Sequence, residues 1–154
     1  MGLRAWVVAV NSWCRASGFG ACVALALVGC GNARQGECSR LISAVNGGLT
    51  QLEAAQQQVK NDPTRTNELR SMADVMDKTA VDTAAIELTT AELKQLSQRY
   101  QTMAKDTAKN AREVAIAYEK HDAEGQRKAQ IALNDALKLE DPIIDDINKF
   151  CGAP

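Results

Sequence analysis

The sequence predicts an all-α fold, an antiparallel up-down-up-down four-helix bundle, over residues 37–154 of this 154-residue chain. Apolar residues recur there at intervals of three and four, which is the spacing of the buried face of a helix. No segment of this region alternates apolar and polar residues with the two-residue period of a strand. The connections between the helical patterns are short, and short connections favour antiparallel neighbours.

The first predicted helix follows Gly36 and stops at Asn61-Asp62-Pro63. An apolar stripe repeats along it every seven residues, at Cys38, Val45, Leu52 and Val59. Asp62 is a typical N-cap residue and Pro63 suits the first position of a helix, so we expect a second helix from there to about Leu88. Its inner face carries Leu69, Met72, Met76, Thr83 and Ile86.

A capping box is predicted at Thr89-Thr90-Ala91-Glu92, where a threonine hydroxyl and a glutamate carboxylate satisfy backbone amides at a helix start. The third helix is therefore expected to begin here. Its apolar stripe consists of Leu93, Leu96, Tyr100, Met103, Thr107, Ala111, Val114 and Tyr118. Asp122 is expected to cap the fourth helix, whose stripe begins with Ala129, Leu133, Ala136 and Leu137. Glu140-Asp141-Pro142 interrupts that helix and predicts a kink or two segments.

Residues 1–29 differ in composition from the rest of the chain. Their only charged side chains are those of Arg4 and Arg15, and residues 16–28 are uncharged and mostly small or apolar. A positive segment followed by such a run is typical of a secretory signal peptide. A membrane-spanning helix needs about 20 apolar residues, and Arg15 interrupts the run before that length is reached.

The end of this run, Leu27-Val28-Gly29-Cys30, resembles the lipobox of bacterial lipoproteins. The resemblance implies that a diacylglyceride is attached to the Cys30 thiol and that residues 1–29 are then cleaved. It divides the chain into a signal peptide (1–29), a lipidated tether (30–36) and the bundle (37–154). Gly31 is not the aspartate that often retains lipoproteins at the inner membrane, so the resemblance favours the outer membrane. The alternatives are a plain secretory signal with a chance cysteine, or a buried apolar strand.

The five cysteines are consistent with this interpretation. Cys14 and Cys22 leave with the signal peptide, Cys30 takes the lipid, and Cys38 and Cys151 remain as a pair. In an oxidising periplasm we expect that pair to form a disulfide, with two free buried thiols as the alternative. An even number of helices would bring the two cysteines to the same end, so the bond would close the bundle between its termini.

Charge and motifs argue against several classes of function. A formal net charge of −1 and a pI near 5.9 disfavour nucleic-acid binding, and no nucleic-acid partner is expected. The only histidine, His121, is predicted about a helix length from Cys38, so the two cannot form a nucleophile and base pair. We interpret the acidic residues around His121 as a capped helix junction rather than a metal site. No enzymatic activity, cofactor or metal is expected.

The resulting hypothesis is a lipid-anchored cell-envelope protein that faces the periplasm and acts as a structural or protein-interaction module. The membrane would be reached through acyl chains on Cys30, and the partner would be another envelope protein. Ile116 and Ile131 lie off the apolar stripes and could form a contact patch for it. The alternative is a protein that binds a small hydrophobic ligand or lipid within the bundle.

Overall fold

The structure is a computed structural model that describes residues 29–59 and 65–152, with the side chains of residues 33–57 and 65–152. Residues 1–28 of the predicted signal peptide (1–29) and the predicted Asp62 cap lie outside the described residues. Five helices occupy the described part of the chain, and no strand occurs there: α1 (Gly29–Val59), α2 (Arg65–Ala84), α3 (Ala91–Glu119), α4 (Ala123–Leu137) and α5 (Glu140–Cys151). The all-α prediction is confirmed, as is the interruption of the last predicted helix, which forms α4 and α5.

Helix α1 begins earlier than the sequence pattern predicts. It includes Gly36 and extends back to Gly29, so residues 31–36, which the sequence analysis placed in the tether before the first helix, are helical. Six helical residues span about 9 Å, whereas six extended residues span about 20 Å. Residues 31–36 therefore continue the helix of the domain, and they are about half as long as the same residues would be if extended.

Helix α3 is central, since it packs against α2, α4 and α5. Its large buried side chains include Leu93, Leu96, Tyr100, Met103 and Val114, as the stripe predicted, whereas Tyr118 is half-buried. Fully buried alanines lie between them, at positions 104, 108, 111 and 115. Such small residues let the neighbouring helices approach α3 closely.

Polar contacts join α2 to α3 along their length. Arg112 of α3 donates to Asp74 (2.8 Å) and Asp77 (2.6 Å), and these hydrogen bonds raise the pKa of the guanidinium. Arg70 pairs with Glu119 at 2.8 Å. The Ser97 hydroxyl donates to the Thr83 carbonyl at 3.3 Å. These contacts fix the register of the two helices.

Helix α4 differs from its prediction at one position. Ala129, Leu133 and Ala136 are buried, but Leu137 is exposed. At 100° per residue, Leu137 points about 70° away from the mean direction of these three side chains, so it lies at the edge of the buried face. The following helix restores the apolar face with Ile143 and Ile147, both buried.

Candidate functional site at the disulfide end

Three separate parts of the chain meet at one end of the domain: the start of α1, the connection between α2 and α3, and the end of α5. Cys38 and Cys151 are joined there by a disulfide, with 2.15 Å between the sulfurs and 5.6 Å between the Cα atoms. The predicted pairing is thus present in the structure, and Cys38 is buried. We call this region the disulfide end.

Glu37, next to the disulfide, caps α3 from a different helix. Its carboxylate accepts hydrogen bonds from the Thr89 amide (2.8 Å), the Thr89 hydroxyl and the Thr90 amide (3.1 Å). These bonds, led by that of the Thr89 hydroxyl, lower the pKa of Glu37 from 4.5 to about 2, although burial opposes the change. The carboxylate is buried and ionised at the amide end of α3, where the helix dipole favours negative charge.

The predicted capping box at Thr89-Thr90-Ala91-Glu92 is therefore wrong. Thr90 is the N-cap residue of α3, but its side chain makes no capping hydrogen bond. A carboxylate that comes from 53 residues earlier in the sequence accepts the Thr90 amide instead. A local pattern cannot indicate such a partner, because the partner is supplied by tertiary packing.

Two arginines of α1 extend the contacts of the disulfide end. Arg40 donates to the Glu87 carbonyl at 3.1 Å, and Arg34 places its guanidinium 5.6 Å from the centre of the Phe150 ring. A shallow surface depression beside Arg40 is lined by Asp82, Ala85, Ile86 and Glu87. The arrangement connects α1 to the α2–α3 connection and to α5.

The chemistry of the disulfide end is structural. Both thiols are consumed in the disulfide, and the Glu37 carboxylate is engaged by three hydrogen bonds. What these groups do together is hold the first and last helices against the start of α3. The sequence analysis did not identify Glu37 as a capping residue. The only sequence feature that could have indicated it is its position immediately before Cys38.

The opposite end contains the turn between α3 and α4. Asp122 caps α4 as predicted, since its Oδ1 accepts from the Gly125 amide at 2.9 Å. Glu124 bonds to Arg127, which lowers the pKa of Glu124. Among the residues that the structure describes, no group of three or more histidine, cysteine, aspartate or glutamate side chains is arranged to hold a metal ion.

The start of α5 carries acidic side chains, as the start of α4 does. Glu140 and Asp141 lie in its first turn, and burial raises the pKa of Glu140, with a further contribution from Asp141. Asp146 pairs with Arg99 of α3 at 2.7 Å. These carboxylates therefore mark a helix start and a cross-helix contact.

The remaining predicted site residues are partly described. Cys30 lies in the first turn of α1, but its side chain is outside the described residues. Ile116 and Ile131 are 43% and 49% exposed, on α3 and α4. Val81 of α2 is also exposed, at 64%. That Ile116 and Ile131 act as one contact patch stays a prediction.

No protein family, curated protein or solved structure matches this sequence. Within residues 29–59 and 65–152, no helix combines the length and apolar character needed to cross a bilayer.

Proposed function

We propose that this chain is a lipid-anchored protein of the bacterial cell envelope that presents its helical domain to the periplasm as a structural or protein-interaction module. The observation that carries the proposal is the Cys38–Cys151 disulfide. Disulfides persist in oxidising compartments such as the periplasm and are rare in the cytosol. A disulfide in the domain that follows a signal-like segment therefore supports export. The lipobox-like Leu27-Val28-Gly29-Cys30 supplies the attachment point, and Gly31 favours the outer membrane.

We infer that the domain is an up-down-up-down bundle in which α4 and α5 together form the fourth helix. Near the start of α1, Arg40 contacts Glu87, just beyond the end of α2, and Gly48, later in α1, faces Thr79, which is earlier in α2. The start of α2 contacts the end of α3, and the end of α2 contacts the start of α3. Both helix pairs therefore support antiparallel neighbours, and the disulfide supports closure between the termini.

The proposed mechanism is display of a surface at a fixed place in the envelope. Acyl chains on Cys30 hold the disulfide end near the bilayer. Helix α3 has 29 residues and is about 43 Å long, so the opposite end reaches into the periplasm. Ile116 and Ile131 are the candidate contact residues for an envelope protein, because both are large, apolar and exposed.

Crosslinking in intact cells tests this proposal. Wild-type protein is compared with Cys30→Ala, and we expect a set of envelope proteins to be captured only when Cys30 is present. The double variant Ile116→Lys/Ile131→Lys should lose a captured partner, whereas Val81→Lys, which alters a more exposed apolar residue on α2, should retain it. Helicity and thermal stability of the purified variants serve as folding controls.

Two outcomes would contradict the proposal. Identical capture by wild type and Cys30→Ala would show that the anchor does not determine the partners. A rise in thermal stability with a small hydrophobic ligand alone, together with no captured protein, would instead indicate a ligand-binding domain, because a ligand that binds only the folded state stabilises it by mass action.

A further inference from the structure

The first turns of α1 lie between the predicted acylation site and the body of the domain. Residues 31–36 are helical and continuous with the rest of α1. Cys30 and Cys38 are therefore separated by about 12 Å along one helix axis, at 1.5 Å per residue. A flexible linker of this length would instead allow the domain to adopt many orientations.

Three contacts brace this segment and the turn that follows it. Arg34 lies against the Phe150 ring of α5, at 5.6 Å from its centre. Glu37 accepts hydrogen bonds from Thr89 and Thr90 at the start of α3. Cys38 is bonded to Cys151 at the end of α5. Within five residues, α1 is thus fixed to two other helices.

We propose that residues 30–36 form a rigid helical stalk that holds the disulfide end at a set distance from the acylated residue at the bilayer surface. This inference rests on the proposed acylation of Cys30. The stalk makes the lipid surface the partner of the disulfide end and directs the opposite end, with the α3–α4 turn, away from the membrane. A contact surface on the domain would then be available at a constant height.

Amide hydrogen exchange of the acylated, cleaved product in lipid vesicles tests the stalk directly. In a chain that begins at Cys30, the amides of residues 34–36 have helical carbonyl partners at residues 30–32. We expect these amides to exchange at least about tenfold more slowly than in an unstructured peptide. Exchange at the unstructured rate would overturn the proposal.

Insertions test the geometry. Four alanines between Gly31 and Asn32 should move a fluorophore on Lys120→Cys about 6 Å further from the bilayer, since a helix rises 1.5 Å per residue. Four glycines at the same place are the matched control and should broaden the distance distribution, because glycine disfavours helix. Equal distance distributions for the two insertions would contradict a rigid stalk.

Arg34→Ala tests the brace to Phe150 and should speed exchange of the amides of residues 34–36 several-fold. Lys149→Ala, which removes a cation next to Phe150, should leave that exchange unchanged. If both variants behave alike, the Arg34 contact does not support the stalk. Failure of the acylated chain to float with vesicles would refute the proposed function separately, and exchange measured on that unbound chain would still decide whether residues 30–36 are helical.

Discussion

Glycines 47 and 48 are neighbours in α1 with opposite surroundings. A Cβ on Gly47 would meet no other atom within 4 Å. A Cβ on Gly48 would lie 2.6 Å from Thr79 Cγ2 and 3.0 Å from Thr79 Cβ, so it would force α1 and α2 apart. The Thr79 side chain is itself buried and donates to the Val75 carbonyl at 2.9 Å. Alanine substitutions at the two positions therefore distinguish the effect of helix propensity from the effect of helix packing.

We expect Gly47→Ala to raise the free energy of unfolding by up to about 1 kcal/mol, because alanine favours helix over glycine. Gly48→Ala should lower it by about 1–3 kcal/mol, because overpacking outweighs the same propensity gain. Urea unfolding of the oxidised protein followed by circular dichroism measures both. A stabilising Gly48→Ala would show that α1 and α2 do not approach as closely as described.

Glu37 makes the free energy of unfolding of the domain depend on pH in the acidic range. Its pKa is about 2 in the folded protein, below its ordinary value of 4.5. On acidification the Glu37 carboxylate is therefore protonated in the unfolded state at a higher pH than in the folded state. Its contribution to the stability of the fold is complete above pH 4.5 and is lost as the pH falls towards 2.

Glu37→Gln should lower the thermal unfolding midpoint at neutral pH, because the amide cannot replace all the hydrogen bonds of the carboxylate. The difference from wild type should shrink as the pH falls from 4.5 towards 2. Glu53→Gln, an exposed carboxylate of the same helix, is the matched control. A pH-independent difference between Glu37→Gln and wild type would contradict the assigned role of Glu37.

At the scale of the element, α3 ends in a Schellman motif. The His121 amide donates to the Tyr118 carbonyl, and the Asp122 amide donates to the Ala117 carbonyl. His121 occupies the left-handed position of this motif, with φ 54°, which glycine adopts more easily than other residues. Lys120, the preceding residue, has the right-handed conformation with φ −84°.

His121→Gly should therefore raise the free energy of unfolding by about 1 kcal/mol, because it removes the cost of the left-handed conformation. Lys120→Gly is the matched control and should lower it by up to about 1 kcal/mol. Chemical unfolding of both variants checks this. If His121→Gly were destabilising, the histidine side chain would have a role at this turn that its backbone conformation does not explain.

The elements differ in how far the sequence predicted them. The predicted stripe of α3 and the predicted break at Glu140 were correct, because apolar spacing and proline act locally. The predicted start of α1 and the predicted capping box of α3 were wrong. Residues 29–36 include three glycines and have low helix propensity, and the braces from Phe150 and Thr89 to this end of α1 come from distant parts of the chain.

At the scale of the whole molecule, the disulfide joins residues separated by 113 positions. Chain-entropy arguments assign about 4–5 kcal/mol to a cross-link over a loop of this size. The predicted disulfide depended on a compartment argument drawn from residues 1–30, and sequence reasoning reached this pair by elimination among the five cysteines.

Cys38→Ser/Cys151→Ser should remain helical at low temperature and lose about 4 kcal/mol of stability. Reduction of the wild-type protein should have the same effect, since it removes the same cross-link. Urea unfolding with and without reductant measures the difference. An unfolding free energy that is unchanged by both treatments would show that the bond does not close the fold.

The central claim is that a lipid-anchored chain starts at Cys30 and is closed by a Cys38–Cys151 disulfide. Intact-mass analysis of the protein purified from its native membrane tests it most directly. We predict a product that lacks residues 1–29, carries a diacylglyceride on Cys30, and is two hydrogens lighter than its reduced form. A product that retains residues 1–29, or has an unmodified Cys30 sulfur, or contains free thiols at Cys38 and Cys151, would contradict the claim.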